Sequence, residues 1–198
     1  MNFLAHLHIA SVTKTSLVGN FLGDFVKGNP DARFNADIVQ GIRLHRFVDS
    51  CTDQHKIIKS LKPLFPDPLR RFSPIALDMF WDHCLAKYWN DFELGSLADF
   101  CQHAKLQIEA ESRVEENDLP ARFEKVSQLV WQQKWLESYA KIENITFALQ
   151  QMASRSPRMA PLEDTSQTLL EHYDLLSEQF FTLYPDVLHK TAEFINAR

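Results

Sequence analysis

The sequence predicts an all-α fold, a single-domain helical bundle, on three observations. Only 5 of the 198 residues are glycine. Long stretches repeat apolar residues at three- and four-residue spacing, the period of helices with one buried face rather than the alternation of strands. Helix punctuation recurs between these stretches: Gly28 with Pro30 beyond it, Asn35 before an apolar run, and Ser73-Pro74 before another. No internal repeat, low-complexity tract or linker divides the chain.

Each element has a local reason. A first helix is expected over about residues 2–10 and a second over about 14–27, ended by Gly28, since glycine caps helix C-termini and a following proline cannot continue them. Asn35 is placed to cap a helix over about 36–50 by accepting a backbone N–H. A basic helix follows to about residue 64, where Pro63, Pro66 and Pro68 forbid a long continuation. Ser73-Pro74 reads as an N-cap followed by proline at the first helical position, leading into a helix over about 75–90. Further helices are expected over about 96–116, 121–133 and 135–153. Two prolines between Arg155 and Pro161 interrupt the pattern, and helices over about 164–183 and 185–196 close the bundle.

Composition bounds the function. The chain is long enough to bury a substantial core without staples, and its 15 Phe and 4 Trp make that core aromatic. Phe80, Trp81, Tyr88 and Trp89, at helical spacing, are expected to pack. Cys51, Cys84 and Cys101 are odd in number and lack Cys-x-x-Cys spacing, which argues for buried thiols over disulfides or a zinc ribbon. A net charge of -5 disfavours nucleic acid as a partner. No apolar run approaches the roughly 20 residues that span a bilayer, and the opening Met-Asn-Phe-Leu-Ala-His lacks a secretory pattern, so no membrane partner and a cytoplasmic location are expected. Between His55 and Phe72 the balance reverses locally: Lys56, Lys59, Lys62, Arg70 and Arg71 face only Asp67, a patch suited to an acidic partner.

Chemistry concentrates in three separated apolar segments. In Gly41-Ile-Arg-Leu-His45-Arg-Phe-Val-Asp49, continued to Asp53, residues four apart share one helix face, so His45 and Asp49 can chelate one ion. Asp24 stands in Gly19-Asn-Phe-Leu-Gly-Asp24-Phe-Val, where an apolar helix leaves a carboxylate needing a partner, either a cation or an arginine such as Arg43 or Arg46. Asp78 and Asp82 repeat the four-residue spacing, with His83 rotated about 100° from Asp82. His6 and His8 are two apart and point to nearly opposite sides, and His6 is the preferred ligand of the two. A mixed nitrogen and oxygen set suits Mn²⁺, Fe²⁺ or Zn²⁺, while a carboxylate-rich set with few imidazoles tolerates Mg²⁺; Mn²⁺ or Mg²⁺ is the expected ion, which activates water and offsets charge at a phosphoryl group. Phosphoester hydrolysis is the reaction expected. No phosphate-binding loop, nucleophile elbow or His-Glu-x-x-His helix competes with that reading.

Several of these motifs, taken in order, also resemble the acyl carrier protein phosphodiesterase family. They are Asn2-Phe-Leu-Ala-His6-Leu-His8, Gly19 to Gly28, Gly41-Ile-Arg-Leu-His45-Arg with Asp49 and Thr52-Asp53, Trp81-Asp82-His83, Met152-Ala-Ser-Arg155 and His172-Tyr-Asp174, which span nearly the entire chain. The resemblance implies a divergent all-helical relative of the HD-type metal-dependent phosphohydrolases, active with Mn²⁺ or Mg²⁺. It implies hydrolysis of the phosphodiester joining 4'-phosphopantetheine to a serine of holo acyl carrier protein, a reaction of fatty acid biosynthesis and lipid metabolism. The acidic carrier would dock on Lys56, Lys59, Lys62, Arg70 and Arg71. In this assignment His45, Asp49, Asp24 and Asp82, with His6 or His83, hold the ion. Arg43 or Arg46 steadies the phosphate oxygens, and His83 or His6 protonates the leaving group. Two rivals are a related phosphatase acting on a nucleotide or other small phosphoester, and a non-enzymatic helical adaptor for an acidic protein.

Overall fold

A computed structural model describes residues 1–114 and 119–197, and the regular elements among them are helical. In order they are α1 (Phe3–Val12), α2 (Leu17–Leu22), α3 (Ala36–Gln54), α4 (Lys56–Leu61), α5 (Ser73–Lys87), α6 (Leu97–Val114), α7 (Ala121–Gln132), α8 (Trp135–Ser138), α9 (Ile142–Ala153), α10 (Thr165–Glu171) and α11 (Tyr173–Asn196). No strand occurs among the described residues, and no helix among them is long and apolar enough to cross a membrane. The expected end of the sixth helix near residue 116 lies outside the described residues.

Helix α1 is central because it has no polar face: every residue from Leu4 to Ala10 is buried. Its first N–H groups have no intrahelical acceptor, and α5 supplies one. The Asp82 carboxylate accepts from the backbone N–H groups of Asn2, Leu4 and Ala5 at 3.1, 2.7 and 3.2 Å. At the other side of α1, His8 Nδ1 meets the Tyr184 hydroxyl of α11 at 2.6 Å. A buried acid and a buried imidazole thus fix α1 between α5 and α11.

Helices α2 and α3 pack backbone to backbone. A Cβ on Gly19 would lie 2.4 Å from the Ile38 carbonyl oxygen, and one on Gly41 would lie 2.8 Å from the Gly19 Cα. Without side chains at these two positions the helices approach closely enough for the end of α2 to reach His45. Asn35 caps α3 as expected, its side chain accepting from Ile38 N at 3.0 Å.

Four boundaries differ from expectation. Helix α2 stops at Leu22, because residues 23–25 form a tight turn and Arg46 takes the carbonyls of Val26 and Gly28 at 2.7 and 2.8 Å, holding that stretch of backbone away from a helix. Ser73 is the first residue of α5 rather than its cap, and its hydroxyl donates to the Arg70 carbonyl at 2.8 Å. The helix expected over about 135–153 divides at residues 139–141, where the Ser138 carbonyl accepts from Lys141 N at 3.1 Å in a tighter turn and from the Asn144 side chain at 2.8 Å. The final break falls at His172, and α11 runs straight through Pro185. A proline inside a helix costs about 3 kcal/mol, and burial of Phe180, Leu183, Tyr184 and Val187 on both sides of it outweighs that.

The aromatic core forms as expected, with Phe80 and Trp81 fully buried, Trp89 nearly so and Tyr88 half-buried. The three cysteines are free, Cys84 and Cys101 buried and Cys51 half-buried.

Candidate metal centre

Two helices bring His6, His45 and Asp49 together, one donor atom from each lying within 4.8 Å of the others. His6 comes from α1, and His45 and Asp49 from successive turns of α3. The two imidazoles stack, ring centroids 3.8 Å apart and planes at 18°. Their Nε2 atoms converge on the two oxygens of one carboxylate: His6 Nε2 to Asp49 Oδ1 at 3.1 Å and His45 Nε2 to Asp49 Oδ2 at 3.2 Å. Asp24, just past α2, puts Oδ1 3.8 Å from His45 Nε2. The imidazoles are buried and form the floor, while the side chains of Asp24 and Asp49, 48 % and 43 % exposed, form a rim open to solvent.

Glycine at position 23 makes this possible. A Cβ there would meet His45 Cγ at 2.1 Å and Cδ2 at 2.2 Å, so the ring occupies space that any larger residue would claim. The chain turns after Leu22, which brings Asp24 over the same ring.

The electrostatics favour a neutral His6 beside an ionised Asp49. Burial, then the neighbouring His45, pushes His6 down to about 3, against the pull of Asp49. Burial alone would raise Asp49, yet hydrogen bonds from His45 and His6 hold its carboxyl well below the usual range. Asp24 is raised, chiefly by loss of solvent, with His45 opposing. Neutral imidazole nitrogens and ionised carboxylate oxygens are the protonation states a divalent cation requires. The Nδ1 atoms of both rings are buried without a partner among the described residues, and Nε2 is the atom each ring turns toward the cluster.

Other expected site residues stand elsewhere. Asp82 is not a ligand here, since its oxygens are taken by the N-terminus of α1. Its position at four-residue spacing from Asp78 aimed both at α1 rather than at α3. Burial pushes Asp82 up to about 7, with the amino group at residue 1 and three backbone bonds pulling against it. Asp78 accepts from that amino group, and burial pushes it up to about 6. His83, rotated off that face, meets the Tyr139 carbonyl through Nδ1 at 2.8 Å and the Tyr173 hydroxyl through Nε2 at 2.6 Å, which ties α5 to the end of α8 and the start of α11. It holds no position at the cluster. Asp53 lies one turn beyond Asp49 and is exposed.

Arg43 and Arg46 are likewise committed away from the centre. Arg43 pairs with both oxygens of Asp31 at 2.7 Å, and Arg46 binds the loop carbonyls of Val26 and Gly28. Both shape the loop that follows Asp24. A different arginine is at hand: Arg122 of α7 stands over the Phe25 ring, next to Asp24. No spacing in the sequence signals it, because the two residues are far apart along the chain. The basic segment is largely exposed at Lys56, Lys59, Arg70 and Arg71, with Lys62 half-buried and Arg70 paired to Asp67 at 2.7 Å.

Comparison with known proteins places these features in a family. The family described as Acyl carrier protein phosphodiesterase matches residues 1–187. A protein of that name from Yersinia pestis is 41% identical over 191 residues, covering 96% of this chain and 97% of the relative. Same-named relatives from Photorhabdus laumondii subsp. laumondii and Klebsiella pneumoniae subsp. pneumoniae are each 40% identical, covering 96% and 95% of this chain and 94% and 96% of their own lengths. No solved structure matches the chain, so the implied kinship with HD-type phosphohydrolases has no structural neighbour behind it.

Proposed function

The chain belongs to the acyl carrier protein phosphodiesterase family, and from that premise we propose that it removes 4'-phosphopantetheine from holo acyl carrier protein by divalent-cation-dependent hydrolysis. The observation that carries the chemistry is the convergence of two buried imidazole Nε2 atoms on one carboxylate beneath an exposed rim. His6, His45 and Asp49 would hold Mn²⁺ or Mg²⁺, and Asp24 would close the donor set from the solvent side. A bound ion of this kind supplies Lewis acidity and lowers the pKa of coordinated water.

The rest is done by the chain. His6 stays neutral because burial disfavours its charged form, so in the tautomer with its proton on Nδ1 the Nε2 lone pair is free for a cation in place of the hydrogen bond to Asp49, and His45 presents Nε2 from the ring stacked against it. Asp24, half exposed at the rim, completes the donor set on the side where substrate arrives. Hydrolysis adds water across the bond between phosphorus and the serine oxygen: hydroxyl goes to phosphorus and a proton to serine, giving apo carrier and free 4'-phosphopantetheine. An open rim suits a phosphodiester presented on the surface of another protein. The exposed lysines and arginines from Lys56 to Arg71 supply the opposite charge for an acidic carrier.

The test is incubation of the protein with holo acyl carrier protein and Mn²⁺ or Mg²⁺, with and without chelator, followed by intact mass. The expected result is a mass loss equal to phosphopantetheine that chelator abolishes. Absence of loss with every divalent ion refutes the function.

A further inference from the structure

We propose that Arg122 is the residue that grips the non-bridging oxygens of the substrate phosphodiester, an inference that rests on the function proposed above. The two arginines nearest in sequence to the histidine motif are spent on Asp31 and on loop carbonyls, so the phosphate needs a cation from elsewhere. Helix α7 brings one to the rim. Phe123 is buried and meets Phe21 and Phe25 edge-on, with centroids 5.4 and 5.7 Å apart, which anchors the start of α7 against the end of α2. The adjacent Arg122 then lies across Phe25, its Cζ 5.7 Å from the ring centroid. Phe25 directly follows Asp24, so the contact sets this cation beside the rim of the centre.

Arg122 is exposed, and among the described residues its guanidinium has only the ring contact. The ring contact holds the guanidinium over Phe25, its N–H groups have no partner among the described residues, and their fork matches two oxygens of a phosphodiester. Lys125, one turn further on the same face of α7, carries equal charge and is also exposed, so it serves as a control for charge without the contact to Phe25.

The experiment compares Arg122→Ala, Arg122→Lys and Lys125→Ala in the full chain. Three quantities are read: Mn²⁺ affinity, inorganic phosphate affinity of the Mn²⁺-equilibrated protein by calorimetry, and kcat/KM on holo carrier and on bis(4-nitrophenyl) phosphate. Arg122→Ala should leave Mn²⁺ affinity within about twofold, weaken phosphate binding by about tenfold or more, and lower kcat/KM on both substrates by about 10- to 100-fold. Arg122→Lys should recover part of the loss, and Lys125→Ala should stay within about twofold throughout. Phosphate affinity unchanged in Arg122→Ala overturns the proposal, as does a loss confined to the carrier substrate or a fall in Mn²⁺ affinity. If the wild-type protein fails to cleave holo carrier, the proposed function falls, while the phosphate titration still tests Arg122.

Discussion

Replacing Gly23 with alanine should disable the centre without unfolding the protein. The backbone at Gly23 is helical (φ -50°, ψ -37°), so alanine is compatible with it and would by propensity alone stabilise by up to about 1 kcal/mol. The added Cβ, however, would stand 2.1 Å from His45 Cγ, about 1.3 Å inside the 3.4 Å of ordinary contact. Two His45 ring atoms and its Cβ all lie within 2.7 Å of that point, so rotating the ring does not clear it and the whole side chain must retreat. Overpacking of this kind costs about 1–3 kcal/mol, leaving a net loss of at most about 3 kcal/mol once the propensity gain is set against it. Displacement of a reacting group by about 1 Å costs about 100-fold in rate. The expected result is therefore a modest shift in the urea midpoint, a Mn²⁺ affinity lowered about tenfold or more, and carrier hydrolysis down about 100-fold. Gly23→Ala with Mn²⁺ affinity and turnover close to wild type would show that His45 is free to move or is not a ligand.

Other outcomes follow from the placement of residues. Asp82→Ala leaves three N–H groups at the start of α1 without that acceptor, those of Leu4 and Ala5 buried, so the unfolding free energy by urea titration should fall by about 3 kcal/mol or more. Asp82→Asn separates charge from shape: burial raises the folded-state pKa to about 7, above the unfolded 3.8, so the wild type carries its full contribution below 3.8 and loses it as pH rises through 7. Relative to the Asp82→Asn variant, the wild-type unfolding free energy should decline by at most about 1.4 kcal/mol per pH unit across that window and level off above it; parallel profiles would contradict the shift. Reversal of charge at Lys56, Lys59, Arg70 and Arg71 should lower turnover of holo carrier by about tenfold or more at low salt and leave bis(4-nitrophenyl) phosphate hydrolysis unaltered, and carrier turnover that survives at low salt rules out docking there.

The helical class and the pairing of His45 with Asp49 were legible before any packing was known, because both follow from local periodicity: four residues span one turn wherever the helix goes. The Asn35 cap was legible for the same reason, its acceptor and donor lying three residues apart. Whatever depends on which helix faces which was not. The spacing of Asp78 and Asp82 matched that of His45 and Asp49, yet α5 meets the N-terminus of α1, where unpaired N–H groups capture Asp82. His6 reaches Asp49 because α1 is buried along its length and crosses α3 at that turn. Arg43 and Arg46 were within reach of Asp24 in sequence terms, but a carboxylate and two carbonyls of the intervening loop lie closer in space. Gly23 carries no functional group, and only the packed helices reveal that its missing side chain is where His45 sits. Periodicity sets which side chains share a face, and long-range packing sets what that face meets.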